Sequence, residues 1–205
     1  MTEKILDAIK ELRQTSKKRN FVQTFDLIIN LKEIDIKKPE NKFSEDIILP
    51  NGRGKEASVV IFSDTIKNSN LNILTTDDIN SLAKNKRAIK KLVKKTDFFL
   101  AEPKLMPLIG KVFGVYLAPR GKMPKILTGD AQKTVENYKK SVRIFIKNAP
   151  VIQCMVGNEN MADEKIAENI ETVLKFLETK LPKGKKNIKE ILLKLTMSKP
   201  VKIEV

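Results

Sequence analysis

Two breaker-rich segments divide this chain, and the hydrophobic texture changes at each of them. Pro50-Asn51-Gly52-Arg53-Gly54-Lys55 holds a proline, two glycines and an Asn-Gly pair. These residues supply turn geometry that others resist. Asn148-Ala149-Pro150 is the second break. Before the first, residues 3–18 read as a helix, with Ile5, Ile9 and Leu12 on one face, Thr2 as its cap and Lys17, Lys18 and Arg19 at its C-terminal end. Residues 21–31 then alternate with period two. Phe21, Gln23, Phe25, Leu27, Ile29 and Leu31 point one way, and Val22, Thr24, Asp26, Ile28 and Asn30 the other. A second strand is expected from Phe43 to Leu49, antiparallel to the first across a long charged connection.

Between the breaks the texture differs. Ala57–Phe62, Leu71–Leu74 and Phe98–Ala101 are short, unbroken apolar runs, the mark of strands buried on both faces. Helical patterns lie between and after them, over 77–95, Pro103–Phe113 and Asp130–Ser141, and a strand is expected over Val142–Lys147. After the second break the opening texture returns. Val151–Val156 reads as a strand ended by Gly157. Asp163 can cap a helix with Ile166, Ile170, Val173, Leu174 and Leu177 on one face. Strands Ile188–Leu195 and Val201–Val205 close the chain after the basic turn Pro182-Lys183-Gly184-Lys185-Lys186.

The expected fold is therefore α/β with two domains. Residues 1–53 join 151–205 in a discontinuous α+β domain whose antiparallel strands come from both chain ends. Residues 54–150 form an inserted α/β domain with a mainly parallel, Rossmann-like sheet. Gly52, Gly54, Lys55, Asn148 and Pro150 would then form a double interdomain hinge. One continuous domain with incidental turns is the competing reading.

Charge narrows the function. Forty Lys and Arg stand against 25 Asp and Glu, a net +15 with pI ≈ 9.8. That balance attracts polyanions, of which nucleic acid is the commonest large one. A membrane partner is not expected: no apolar run is long enough to span, no lipidation motif closes the chain, and the start is a charged helical pattern and not a signal core. The chain has no histidine, which removes the usual general base and the usual nitrogen ligand for zinc. Its one cysteine, Cys154, lies in the apolar run Val151–Val156 and reads as a buried small hydrophobe suited to a reducing compartment. Catalysis, metal and cofactor are not expected. With no tryptophan and 5% aromatic residues, the chain is poor in base-stacking platforms.

Two motifs could meet phosphate or RNA. Pro50–Lys55 is not a nucleotide-binding P-loop, because Gly52 is one residue from Gly54 and Glu56 follows Lys55. Pro119-Arg120-Gly121-Lys122-Met123-Pro124 is a basic loop in which Arg120 and Lys122 could hold a phosphate; a solvated turn is the alternative. Thr196-Met197-Ser198-Lys199-Pro200 sets a hydroxyl, a thioether and a cation on a turn, with an ordinary hairpin turn as the alternative.

In order and spacing, Phe21-Val22-Gln23-Thr24-Phe25-Asp26-Leu27, the Pro50–Lys55 break, the Pro119–Pro124 loop and Thr196-Met197-Ser198-Lys199-Pro200-Val201 resemble the large-subunit ribosomal protein L-one family, the universal stalk protein, in its archaeal and eukaryotic branch. The resemblance covers nearly the whole length. Ser198 stands where the family has Gly, and Ala118 where Gly often precedes the Pro-Arg-Gly loop. The resemblance implies a cytoplasmic, ribosomal protein, monomeric when free, that binds folded large-subunit ribosomal RNA, forms the mobile stalk beside exit-site tRNA and represses its own messenger RNA. It implies RNA contacts at Phe21, Thr24, Asp26, Thr196, Met197 and Ser198. Structured RNA is read by shape, phosphates and 2′-hydroxyls, which suits a site of hydroxyls, backbone and cations. Phe25 is expected in the core, whereas Phe21, at the strand start, could lie against a ribose. A non-ribosomal basic nucleic-acid-binding protein and an α/β enzyme acting on a phosphorylated substrate remain as alternatives.

Overall fold

The computed structural model describes residues 2–66 and 71–203. In chain order the elements are α1 (Thr2–Thr15), β1 (Thr24–Leu31), β2 (Ser44–Ile48), β3 (Val59–Phe62), β4 (Ile73–Leu74), α2 (Thr76–Ala83), α3 (Lys86–Lys95) and β5 (Phe98–Ala101). There follow α4 (Met106–Leu117), β6 (Lys125–Ile126), α5 (Ala131–Lys139), β7 (Ser141–Phe145), β8 (Val151–Asn158), α6 (Asp163–Lys180), β9 (Ile188–Leu195) and β10 (Val201–Ile203). The chain divides into two compact units, Met1–Glu56 with Lys140–Val205, and Ala57–Lys139.

In the first unit a four-stranded antiparallel sheet runs in the order β10-β9-β1-β8. The period-two pattern of β1 explains its central place. Phe25, Leu27, Ile29 and Leu31 are buried, while Thr24, Asp26, Ile28 and Asn30 are half-covered on the opposite face. The buried face meets Ile5, Ile9 and Leu12 of α1 and Ile166, Ile170, Val173, Leu174 and Leu177 of α6 in one core. Each fully buried Ile or Leu of this kind contributes about 1.5–3 kcal/mol relative to exposure. The register of β1 against β8 shifts between Phe25 and Asp26, where Phe25 faces Gly157 and Asp26 faces Met155. Val156 is thus an extra residue, a bulge that strengthens the local twist at this end of the sheet.

β2 does not pair with β1 as the sequence suggested. It pairs with β7, and Asp46 stands opposite Arg143, with Nε 2.8 Å from the carboxylate. Period and turn signals identify a strand but not its partner, and this partner lies about a hundred residues away in sequence. The strand at Ser141–Phe145, expected in the insert, consequently belongs to the first unit. The Asn148-Ala149-Pro150 break lies inside that unit as the connection from β7 to β8, and the chain returns from the insert between Lys139 and Lys140.

The second unit carries a parallel sheet in the order β4-β3-β5-β6. Its central strands are covered on both faces, which is why they read as unbroken apolar runs. Val60, Phe62, Phe99 and Ala101 pack against α2, α3 and α4, and Val59, Ile61, Phe98 and Leu100 pack with Val135 of α5. The single helix expected over 77–95 is two. Thr75 and Asp78 form a capping box on α2, and the Asn85 side chain accepts from Ala88 N to start α3 anew. The expected helix at 103–113 opens as a 3-10 turn, Pro103–Leu105, and then runs as α4 to Leu117. Strand β6 was not expected, since Lys125 interrupts its apolar pattern. α1 begins at Thr2 itself, so Thr2 is helical and not a preceding cap; its hydroxyl donates to the Glu171 carboxylate. Of the closing strand expected over 201–205, residues 204 and 205 lie outside the described residues.

Candidate nucleic-acid interface

The twisted end of the antiparallel sheet brings the start of β1 beside the end of β9. Phe25 faces Leu195, and one step outward Thr196 N donates to Thr24 O at 3.1 Å. Thr24 N donates back to Thr196 Oγ1 at 3.0 Å, and the two hydroxyl oxygens also lie 3.0 Å apart. Two segments 172 residues apart in sequence are thereby locked at one edge. Beyond Thr196 the chain turns. Leu195 N donates to Ser198 Oγ at 2.9 Å, and Ser198 N donates to Leu195 O at 3.1 Å. Ser198 has no positive φ, so this turn does not call for the glycine found in the family.

Gln23 holds the turn from behind. Its side chain is 1% exposed; Nε2 donates to Glu159 Oε1 at 2.9 Å, and Oε1 accepts from Met197 N at 3.1 Å. Glu159 closes the circuit, accepting from Gln23 N through Oε2 (2.9 Å) while its own N–H donates to Gln23 O (3.0 Å). Arg13 of α1 clamps the loop that carries Glu159. Its guanidinium donates to Asp163 Oδ1, Glu159 O and Met161 O at 2.7, 2.9 and 2.7 Å, and stacks 5.5 Å from the Phe25 ring centroid. Sequence reasoning missed Arg13 and Glu159 and placed Gln23 only as an inward strand residue. A buried amide at a strand start was the one available signal for Gln23.

What these contacts present outward is chemically mixed. Met197 is 60% exposed and Phe21 50%, whereas Phe25 is fully buried, which separates the two phenylalanines as expected. Asp26 lies one strand step inside, on the open face of the sheet with Lys194 beside it. Partial burial pushes its carboxyl above the usual range, against the opposing pull of Lys194 and the Thr24 hydroxyl. Cys154 is buried in the core behind this face. Burial first, and then the Asp26 charge, push its thiol up to about 12, so it is no nucleophile. Lys18 and Arg19, with Arg13, Ser16 and Glu159, line a groove next to Phe21's segment.

The Pro50–Lys55 break is built on the same unit. Gly52 and Gly54 have φ of +65° and +81°, and a Cβ on Gly54 would lie 2.4 Å from Asn158 Cγ, so both backbone shape and space demand glycine there. Fully buried Asn169 of α6 anchors the segment. Its Nδ2 donates to Gly52 O (2.7 Å) and Val156 O (2.8 Å), and its Oδ1 accepts from Asn51 N (3.2 Å). Lys55 is exposed just before the crossing into the second unit. Pro150 O accepts from Leu31 N at 2.8 Å, and Asn148 is exposed in the same connection.

Arg120 and Lys122 belong to the second unit. Arg120 is exposed at the end of the 3-10 turn Ala118–Arg120, and Gly121 follows with a left-handed φ of 64°. Lys122 turns inward: its Nζ donates to Val93 O (3.2 Å) and Thr96 O (2.5 Å), closing the C-terminal end of α3. Among the described residues no three His, Cys, Asp or Glu side chains are grouped to hold a metal, and no helix is long and apolar enough to cross a membrane.

The comparisons with known proteins cover this whole arrangement. A model of the ribosomal protein L1p/L10e family matches residues 12–199, from within α1 to the Thr196 turn. The large ribosomal subunit protein uL1 of Methanothermococcus thermolithotrophicus is 44% identical over 98% of this chain and 98% of its own. The protein of that name from Methanocaldococcus jannaschii is 45% identical over 98% and 95%, and that from Thermococcus kodakarensis 41% over 98% and 97%. With both strand-end segments, the glycine break and the insert inside the matched range, the chain belongs to the ribosomal protein L1p/L10e family.

Proposed function

We propose that the protein is a structural component of the large ribosomal subunit and binds folded large-subunit ribosomal RNA through the strand-end edge of its first unit. The observation that carries this reading is the Thr24–Thr196 lock with Gln23 behind it. The sheet spends four hydrogen bonds on holding Thr24, Thr196 and Met197 in one geometry, yet leaves the Met197 side chain and Phe21 largely in water. Exposed apolar groups on a rigid edge mark a contact surface, and the hydroxyls, backbone and nearby Lys18, Arg19 and Lys194 suit a shape-read RNA backbone. Asp26 would accept from a 2′-hydroxyl or a base amino group, because a phosphate there would meet like charge. Ser198 keeps the turn in shape. Family membership places the chain among ribosomal proteins and not among enzymes.

The finer role follows from the same reading. The bound protein would form the mobile stalk and assist release of exit-site tRNA, with the insert moving about the two crossings that follow Glu56 and Lys139. The Gly52, Gly54 and Lys55 segment would set the outgoing crossing, and Arg120 would approach tRNA. The same edge would repress translation of the protein's own message, since a second RNA need only copy one local shape. Filter binding of the full chain to the ribosomal RNA fragment and to a DNA duplex of equal length tests the core claim. Met197→Ala should weaken RNA binding with stability unchanged; equal affinity for both nucleic acids would refute the reading. In competition, the message fragment should be displaced by ribosomal RNA, and simultaneous binding would defeat the shared-site repression.

A further inference from the structure

The second unit holds a feature that the strand-end site does not use. Residues 57–139 carry 15 Lys and Arg against seven Asp and Glu, and the charge is concentrated on α3. Six of the ten residues of this helix, Lys86, Arg87, Lys90, Lys91, Lys94 and Lys95, are cationic and all six are exposed; none of the ten is acidic. Ile89 and Val93 are buried against the sheet and fix which side faces outward. Helical spacing then sorts the cations into two adjacent rows, Lys86-Lys90-Lys94 and Arg87-Lys91-Lys95. Each row steps by about 6 Å along the axis, from four residues at about 1.5 Å each. That step is close to the separation of neighbouring phosphates along a nucleic-acid strand.

The arrangement is costly in the absence of a partner. Like charges four apart repel, and Lys86 and Arg87 occupy the first turn, where the helix dipole disfavours cations. No carboxylate relieves this: among the described residues none of the six takes part in an ion pair with Asp or Glu. The helix is instead held by uncharged and cationic means, with the Asn85 side chain at its start and the Lys122 ammonium on Val93 O and Thr96 O at its end. Lys122 therefore supports the basic face from below.

We propose that the outward face of α3 is a second binding surface, which grips the phosphate backbone of a double-helical RNA without reading its sequence. Duplex and not single strand is the occupant because the exposed face is all Lys and Arg. The phenylalanines of this unit, Phe62, Phe98, Phe99 and Phe113, are buried, Tyr116 and Tyr138 are half-buried against its cores, and α3 itself has no aromatic residue, so its outward face offers no platform on which unpaired bases stack. The inference stands apart from the strand-end reading, since the two surfaces share no residue.

The test uses the full chain and, as probe, a plain RNA duplex of about 20 base pairs with no tertiary fold. Lys86→Gln, Lys90→Gln and Lys94→Gln are combined in one variant; Gln is close to Lys in helix propensity, so the helix is kept. A control variant removes equal charge from the first unit by Lys37→Gln, Lys38→Gln and Lys42→Gln. Loss of two or three phosphate contacts should flatten the log-log salt dependence by about 2–3 and weaken duplex binding roughly 10- to 100-fold near 0.1 M salt. The control variant should stay within about twofold of wild type. Equal losses in the α3 and control variants would reduce the effect to net charge and overturn the proposal. Unchanged duplex binding by the α3 variant would overturn it too, and so would loss confined to vesicles containing phosphatidylserine.

Discussion

Replacing Gln23 by Ala separates the residues that hold the RNA edge from those that would touch RNA. The side chain makes two hydrogen bonds. One goes from Nε2 to the Glu159 carboxylate at 2.9 Å, and one is received by Oε1 from Met197 N at 3.1 Å. A bond to a charged group contributes about 1.5–3 kcal/mol and a neutral one about 0.5–1.5, so the substitution should cost about 2–4 kcal/mol. Met197→Ala, on a side chain 60% exposed, should stay within about 0.5 kcal/mol. Both tyrosines, Tyr116 and Tyr138, lie in the second unit. Urea unfolding followed by far-ultraviolet circular dichroism should therefore show the Gln23→Ala loss as a midpoint shift of about 1–2 M, while tyrosine fluorescence shows none. Both variants should weaken RNA binding, and the double variant by less than the sum, because the two act on one turn. Wild-type unfolding of Gln23→Ala, or a stability loss with RNA affinity intact, would refute the view that Gln23 positions the turn.

Gly54→Ala should destabilise the first unit by more than about 2 kcal/mol, since left-handed backbone costs about 1–2 kcal/mol and the new Cβ meets Asn158; Gly121→Ala, in open space, should cost the backbone part alone, and urea unfolding compares them. Cys154 should make the native state lose stability as pH rises from about 8.5 toward 12, because the unfolded thiol ionises there while the folded one keeps its proton; the slope approaches about 1.4 kcal/mol per pH unit and should vanish in Cys154→Ala. Asp26, whose carboxyl is raised by burial, favours the folded state when protonated; that contribution is present below the ordinary carboxylate range and lost as pH rises through the folded value. Asp26→Asn should accordingly unfold at a higher temperature than wild type at pH 7, and the gap should close below about pH 4, as differential scanning calorimetry would measure.

The division of labour between sequence and structure follows from range of interaction. The buried runs Phe98–Ala101 and Ile188–Leu195 were legible residue for residue, because alternation and uniform burial leave a local pattern. The partner of β2 was not, since Asp46 and Arg143 are paired only by the closure of a long loop. Thr24, Thr196 and Met197 were found as motif residues, but what holds them was hidden. Gln23, Glu159 and Arg13 are ordinary polar residues until three distant segments meet. The Asn51-Gly52 turn was visible as glycine chemistry, whereas its anchor Asn169 sits in an amphipathic helix where a polar residue attracts no notice. The bonds of Lys122 to the end of α3 were not legible, because a basic loop gives no hint of which way each side chain turns.

Central strand β1 has one neighbour from residues 151–158 and another from 188–195. During synthesis it therefore emerges long before anything exists for it to pair with. Residues 57–139 contain their whole sheet and can close while the chain is still growing, as domains with contiguous segments do. The first unit must wait, with α1 and β1 held open, until β9 has been made. Thr196 is added after nearly all of the sheet, so the edge that locks it to Thr24 comes into being only once β9 has been translated. A nascent or prematurely terminated chain thus carries basic charge and a closed insert but lacks the shape-reading surface, which confines selective RNA capture to chains that have been carried past β9.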